Sequence, residues 1–323
     1  MVMNSRAGKA MLGCVLMGVL FVPGVAQNAT GAAQSATGAA QSADGADAAY
    51  QQSIDQWKTK VDKSDRGWLT LAGLFWLKEG ENSFGSASKN DIVFPKGPAH
   101  AGSFTRHGAD VTVQLAPEVT ATIDKKPGSQ AKLLPDTSHH PTVVSIGSLT
   151  FFVVVRGAHS ERIGIRLSDQ ENEAVTRWPG PQFFPVNRNY RVTATWVPFE
   201  GNRTIGIPDM LGDVYDEKVT GTLLFKIDGQ EVQLISSNAD PSKGLSFVFG
   251  DLTSKTDTYP GGRFLRTGPV VDGKVEVDFN KAYNPPCAVT PYATCPLAPK
   301  ENRLAVAIPA GEKYDRATSG HGK

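Results

Sequence analysis

Apolar residues recur at helical spacing between Ala48 and Ser64, where Tyr50, Ile54, Trp57 and Val61 alternate with Gln, Lys and Asp. The pattern predicts an amphipathic helix that packs on a sheet. Gly67–Leu77 follows as an apolar, aromatic stretch and reads as core. After Gly80 the period shortens. Asp91–Phe94, Val111–Leu115, Val119–Ile123 and Leu149–Val155 are short β-type runs separated by Gly, Pro and Asp, which predicts an all-β sandwich or barrel. Phe151–Val155 is apolar throughout and predicts a central strand.

The second half keeps this texture. Tyr190, Val192, Ala194 and Trp196 share one face of a strand. Asp228-Gly229 parts Thr222–Ile227 from Gln230–Ile235, a two-residue hairpin signature. Leu245–Phe249, Arg263–Arg266, Lys274–Phe279 and Leu304–Ile308 read as further strands of an antiparallel meander. Asp272-Gly273 predicts a second hairpin that would set Arg263 opposite Ala282. No βαβ pattern occurs, so a doubly wound fold is not expected.

The ends have a different character. Arg6 and Lys9 precede an apolar run, Met11–Val22, and Pro23-Gly24-Val25-Ala26 supplies a small-residue cleavage site. Residues 1–26 therefore read as a signal peptide. The near-repeat Thr-Gly-Ala-Ala-Gln-Ser-Ala makes residues 27–47 read as a flexible low-complexity linker. The folded part divides into 48–180, a helix plus a β-sandwich, and 181–316, an antiparallel β unit, with 317–323 as a disordered tail. The expected location is periplasmic or secreted, with no membrane span in the mature protein. Formal charge is +1 for the whole chain and falls to −1 when Arg6 and Lys9 leave with the first 26 residues. There is no basic field to hold nucleic acid.

Chemistry-bearing side chains concentrate between Asp278 and Glu312. His, Gly-rich and Ser-nucleophile motifs are missing: none of the six histidines lies between residues 160 and 320, and no HExxH, GxSxG or phosphate-loop pattern occurs. No metal and no cofactor is implied. Cys287 and Cys295 lie eight apart in a proline-rich segment. In an exported protein they are expected to form a disulfide rather than a metal site or a redox pair. Asp278 and Glu301 are the candidate catalytic carboxylates. Arg263, Asn280, Tyr283, Asn284, Asn302 and Glu312 are the candidate ligand-binding residues. Two roles stand open for this cluster: a pocket in which Arg263 fixes an anion and a carboxylate acts as acid or base, or a structural polar network.

Three groups of segments carry a resemblance. They are Gly67-Trp68-Leu69 with Leu74-Phe75-Trp76-Leu77, Gly180-Pro181 with Phe184-Pro185-Val186, and Tyr259-Pro260-Gly261-Gly262-Arg263-Phe264. Together with Asp278–Glu312, they make residues 57–313 resemble the bacterial family called domain of unknown function 1684, which implies a fold and a hot region but no reaction. Residues 77–168 also resemble a forkhead-associated sandwich, through Leu77-Lys78-Glu79-Gly80, Phe84-Gly85-Ser86 and Ile146–Phe151. That resemblance implies the sandwich without phosphothreonine reading, because Ser86 stands where those domains place the phosphate-clamping Arg.

The expected fold is thus mainly β: an N-terminal helix and an atypical forkhead-associated-like sandwich packed on a second antiparallel, barrel-like unit. The expected function is binding of a small molecule or a cell-envelope protein at the junction of the two β units. A metal-independent hydrolase or lyase using Asp278 or Glu301, and a structural interaction module, are the alternatives.

Overall fold

The computed structural model describes residues 30–158, 161–237 and 240–316, with the backbone alone for 30–46. The leader-like residues 1–26 and the tail 317–323 lie outside the described residues. Two compact units divide the chain, Met1–Tyr50 and Gln51–Lys323. Of the first, only helical residues are described. Strand content of 42% against 17% helix puts the chain in the mainly β class. Among the described residues no helix is long and apolar enough to cross a membrane.

Helix α1 spans Thr30–Trp68 and so begins inside the stretch expected to be a linker. That stretch is rich in Ala, the best helix former, and contains no proline to stop a helix. Eleven strands follow in the first part: β1 (Leu71–Trp76), β2 (Gly80–Gly85), β3 (Ile92–Val93), β4 (Gly102–His107), β5 (Asp110–Leu115), β6 (Thr122–Ile123), β7 (Lys126–Pro127), β8 (Gln130–Lys132), β9 (Val144–Ile146), β10 (Leu149–Arg156) and β11 (Arg162–Asp169). They form one sheet in the order β1-β11-β10-β9-β6-β7 and another in the order β3-β2-β4-β5-β8. Alternation drives the packing: in β5, Val111, Val113 and Leu115 point inward while Asp110, Thr112 and Gln114 face solvent. Phe84 stacks on Phe104 at 4.2 Å, and Phe104 meets Phe151 of the facing sheet edge-on at 5.5 Å.

A short helix α2 (Glu173–Arg177) leads to the second β region. Its strands are β12 (Arg191–Pro208), β13 (Val214–Ile227), β14 (Gln230–Ile235), β15 (Ser246–Phe249), β16 (Arg263–Arg266) and β17 (Lys274–Asp278). One sheet runs β14-β13-β12-β17, and β15 pairs with β16. The Asp228-Gly229 turn closes the β13–β14 hairpin, with Ile227 opposite Gln230 and φ of 49° and 79° at the two turn residues. Tyr190, Val192, Ala194 and Trp196 all face the second core, as their alternation predicts.

Two expectations need correction. Leu304–Ile308 is not a strand; it runs as irregular chain whose Leu304, Val306 and Ile308 still fill the second core. Apolar alternation marks burial there, and the segment's backbone bonds to residues 250–252, the Leu304 N–H to the Gly250 carbonyl at 2.8 Å and the Leu252 N–H to the Val306 carbonyl at 3.0 Å. The Asp272-Gly273 turn forms, with Val271 opposite Lys274, yet β17 then pairs with β12 instead of β16. The chain returns to β16 only at Phe264, which bridges Tyr283. Counting from the turn would have placed Phe264 opposite Lys281. The two-residue offset follows from Gly268 and Pro269, which break the first arm.

Candidate functional site

Most polar residues of the Asp278–Glu312 region are internal fasteners. The Arg263 side chain is 1% exposed; its Nη2 pairs with Asp251 at 2.7 Å and donates to the Ile308 carbonyl at 3.0 Å. Its Nη1 donates to the Ala310 carbonyl, and the guanidinium lies over the Phe249 ring. The arginine picked to hold an anion therefore ties the irregular 304–310 segment to a 3-10 turn at Leu252–Lys255. Asn280 accepts from the Asn187 N–H and donates to the Asn187 carbonyl, both at 2.9 Å. Asn302 does the same to Ile235, at 2.8 and 2.9 Å, and also donates to the Val248 carbonyl. Each amide imitates a strand neighbour where no strand is present. Asp278 caps the 3-10 turn Phe279–Lys281 by accepting from the Asn280 N–H. Glu301 sits near Lys300 at 3.9 Å, with Oε2 buried and unbonded.

Tyr283 and Asn284 differ, because they line a cleft of about 470 Å³, and Glu312 lies behind it, bonded to the Asn284 N–H. One wall comes from α1: Trp57, Lys60, Val61, Ser64, Asp65 and Trp68. The other comes from Phe264, Arg266, Lys281, Tyr283, Asn284 and Pro286. Reciprocal backbone bonds between Phe264 and Tyr283, at 2.7 and 3.0 Å, fix that wall, and their rings meet edge-on. Gly311 permits the chain to close behind it. At φ 76° it lies so near the Ala282 carbonyl that a Cβ would come within 2.5 Å of the oxygen. The next residue, Glu312, can then donate its N–H to the same carbonyl at 2.8 Å and receive the Asn284 N–H at 2.7 Å.

Of two buried carboxyls here, Asp65 lines the cleft and Glu312 lies behind Asn284. Asp65 is 5% exposed and Glu312 2%. Burial, then the neighbouring Asp62 charge, raises Asp65 to about 7. Burial, then the Asp65 charge, raises Glu312 to about 8 against the lowering bonds from Asn284. Asp65 Oδ2 and Asn284 Oδ1 are both buried without a hydrogen-bond partner. Burial also raises the Tyr283 phenol, and Arg266, bonded to it, partly offsets this. The cleft thus combines aromatic faces, three cations (Lys60, Arg266 and Lys281) and unsatisfied acceptors.

Sequence reasoning overlooked Asp65, although the chain signals it. Ile54, Trp57, Val61, Asp65 and Trp68 form one stripe at spacings of three and four. A carboxylate on the apolar stripe of an amphipathic helix is a buried charge that needs a reason. Arg266, three residues from Arg263 on the same short strand, is the arginine that lines the cleft.

A second cleft, of about 460 Å³, lies between the end of β10 and the β12–β13 hairpin, lined by Arg156, Ile205, Ile207, Tyr215, Thr294 and Asn302 among others. The Tyr215 hydroxyl donates to Asp209 at 2.9 Å and accepts from the Gly157 N–H at 3.2 Å. Its polar groups are therefore largely satisfied internally. Cys287 and Cys295 pack near it as two buried thiols rather than a disulfide. The Cys287 N–H donates to Cys295 Sγ at 3.2 Å.

No functionally curated protein matches the chain. Among solved structures, an uncharacterized protein of Haloarcula marismortui, determined by solution NMR, is 32% identical. That match covers 46% of this chain and 82% of the other, with a TM-score of 0.37. The FHA domain of FhaA, solved with the intracellular domain of another protein, is 12% identical over 29% of this chain and 96% of that one, with a TM-score of 0.20. A second FHA domain is 14% identical over 29% and 88%, also with a TM-score of 0.20. The family match begins at residue 176, so Gly67–Leu69 and Leu74–Leu77 lie outside it. Over residues 176–313 the chain belongs to the family described as Protein of unknown function (DUF1684).

Proposed function

We propose that this is an exported small-molecule-binding protein whose ligand lies between α1 and the Phe264–Pro286 wall. The ligand class is an aromatic acid that also carries a hydroxyl or amino donor. The observation that carries this reading is the pairing of opposite demands in one cleft. Asp65 Oδ2 and Asn284 Oδ1 are buried acceptors without donors, while Lys60, Arg266 and Lys281 line the same space. Leaving such acceptors unpaired costs about 1–3 kcal/mol each, which a ligand donor would recover. Trp57, Trp68 and Tyr283 supply flat apolar faces for an aromatic body. The site lies farther along β16 than the sequence suggests, at Arg266 rather than Arg263.

The test is intrinsic tryptophan fluorescence against benzoate, hydroxybenzoates, aminobenzoates and indole acetate. Saturable quenching by the donor-bearing acids, lost in Arg266→Gln and weakened in Asp65→Leu, supports the reading. No saturable binding by any panel member, with native mass spectrometry of host-purified protein showing no retained ligand, would sink it. The Asp65 carboxyl, held near neutrality, is also the group an acid–base reaction would use, whereas Asp278 and Glu301 line neither large cleft. Turnover that disappears in Asp65→Asn while affinity persists would move the reading from binding to catalysis.

Export and a Cys287–Cys295 disulfide belong to the same reading, supported by the leader-like first 26 residues and by the Cys287 N–H lying 3.2 Å from Cys295 Sγ. N-terminal sequencing of exported material should find Gln27 first; an intact Met1 in the soluble fraction would refute it.

A further inference from the structure

The two thiols have an unusual neighbour. Arg166, from β11, is 5% exposed. Its Nη2 donates to Thr294 Oγ1 at 3.3 Å, and its Nε is buried without a partner. Among the described residues no carboxylate forms an ion pair with it. The nearby Asp136 is engaged by Arg156 at 2.7 Å, and Arg156 also donates to Thr294 Oγ1, again at 2.7 Å. A buried cation without a counter-anion is costly. The residue next to Thr294 is Cys295, and Cys287 lies against Cys295. Arg166 and the thiols act on each other electrostatically, with Arg166 lowering both thiol pKa values. The bond from Cys295, ahead of all other causes, holds Cys287 below the usual thiol range, while that same bond and burial push Cys295 up. Asp209 opposes the Cys287 shift, and Tyr259 and Tyr314 pack against the pair. A Cys287 thiolate is the anion that Arg166 lacks.

We propose that Cys287 and Cys295 form a reversible dithiol–disulfide site, whose reduced form is held by the buried Arg166 guanidinium and whose exchange partners are low-molecular-weight thiols and disulfides of the glutathione class. The inference rests on the pair being able to form the disulfide. The Cys287 thiolate attacks one sulfur of glutathione disulfide and releases one glutathione, which takes up a proton. Cys295, on losing its proton, attacks the Cys287 sulfur of the mixed disulfide and releases the second glutathione. The protein loses two electrons and glutathione disulfide gains two. Oxidation removes the thiolate and strands the Arg166 charge. The disulfide is therefore more reducible than one in neutral surroundings, as holds wherever the reduced form is stabilised. Its spacing of eight is unlike a Cys-x-x-Cys motif; the buried guanidinium, not the spacing, makes the pair redox-active.

The experiment is a redox titration of the full chain in glutathione buffers, read at equilibrium by alkylation and mass shift, because both thiols are buried and exchange is slow. Arg166→Met should move the equilibrium at least tenfold toward the disulfide, a potential about 30 mV lower. Arg166→Lys, which keeps the charge, should move it less. In the wild type, one thiolate should appear by ultraviolet absorbance below the ordinary cysteine value of about 8.5. If no disulfide forms at any ratio, both the disulfide and its reversibility fail. If it forms equally in wild type and Arg166→Met, and neither thiol titrates low, the disulfide stands and the role of Arg166 is overturned. Should Arg166→Met not fold, the wild-type titration alone decides.

Discussion

Arg263→Ala is the sharpest test of how the second core is held. The substitution removes the partner of Asp251, whose side chain is fully buried, and withdraws donors from the Ile308 and Ala310 carbonyls. Asp251 keeps the bonds from the Thr253 N–H and hydroxyl, but no cation. Breaking one side of a buried ion pair costs about 3–5 kcal/mol, because the remaining charge stays desolvated. For a domain of this size each kcal/mol moves the melting temperature by roughly 2–4 °C, so a fall of about 6–20 °C is expected. Arg263→Lys should recover only part, since one ammonium cannot reach Asp251 and both carbonyls with the geometry of a guanidinium fork. The double variant Arg263→Met with Asp251→Leu, which removes both charges, should be more stable than Arg263→Ala. The assay is urea unfolding followed by tryptophan fluorescence and far-ultraviolet circular dichroism. A loss below about 1 kcal/mol for Arg263→Ala would refute the reasoning; it would mean that Asp251 is reached by water or accepts a proton at little cost.

Two further outcomes follow from the geometry. Asp65 and Glu312 carry folded-state pKa values of about 7 and about 8, both above their unfolded values. The folded state therefore holds more protons, and stability should decline as pH rises from about 4 to about 8. Asp65→Asn with Glu312→Gln should flatten that slope in urea unfolding at several pH values; a slope left unchanged would mean that the two groups do not share the buried charge. Asn302→Ala should destabilise by about 1–3 kcal/mol, since it leaves the Ile235 N–H without its acceptor, and hydrogen exchange at that amide should rise; unaltered protection there would refute the fastener role.

The chain alone determined what depends on local periodicity. The inward residues of β5, the Tyr190–Trp196 face and the Asp228-Gly229 hairpin are set by side-chain alternation and by turn residues that tolerate positive φ, and all appear as the pattern requires. The concentration of polar groups between Asp278 and Glu312 was likewise legible. What each of them does was not, because an Asn or Arg that fastens backbone and one that holds a ligand have the same identity and differ only in burial and partners. Arg263 went inward to Asp251 and Arg266, three residues on, went to the cleft; alternation alone puts these two on opposite faces but cannot say which face is core. The β17 strand left its hairpin partner for β12, a long-range competition that no local pattern encodes. Asp65 joined Tyr283 and Asn284, and Arg166 joined the cysteines, across more than a hundred residues of chain. Such meetings are fixed by packing two β regions and a helix together, so only the tertiary structure could decide them.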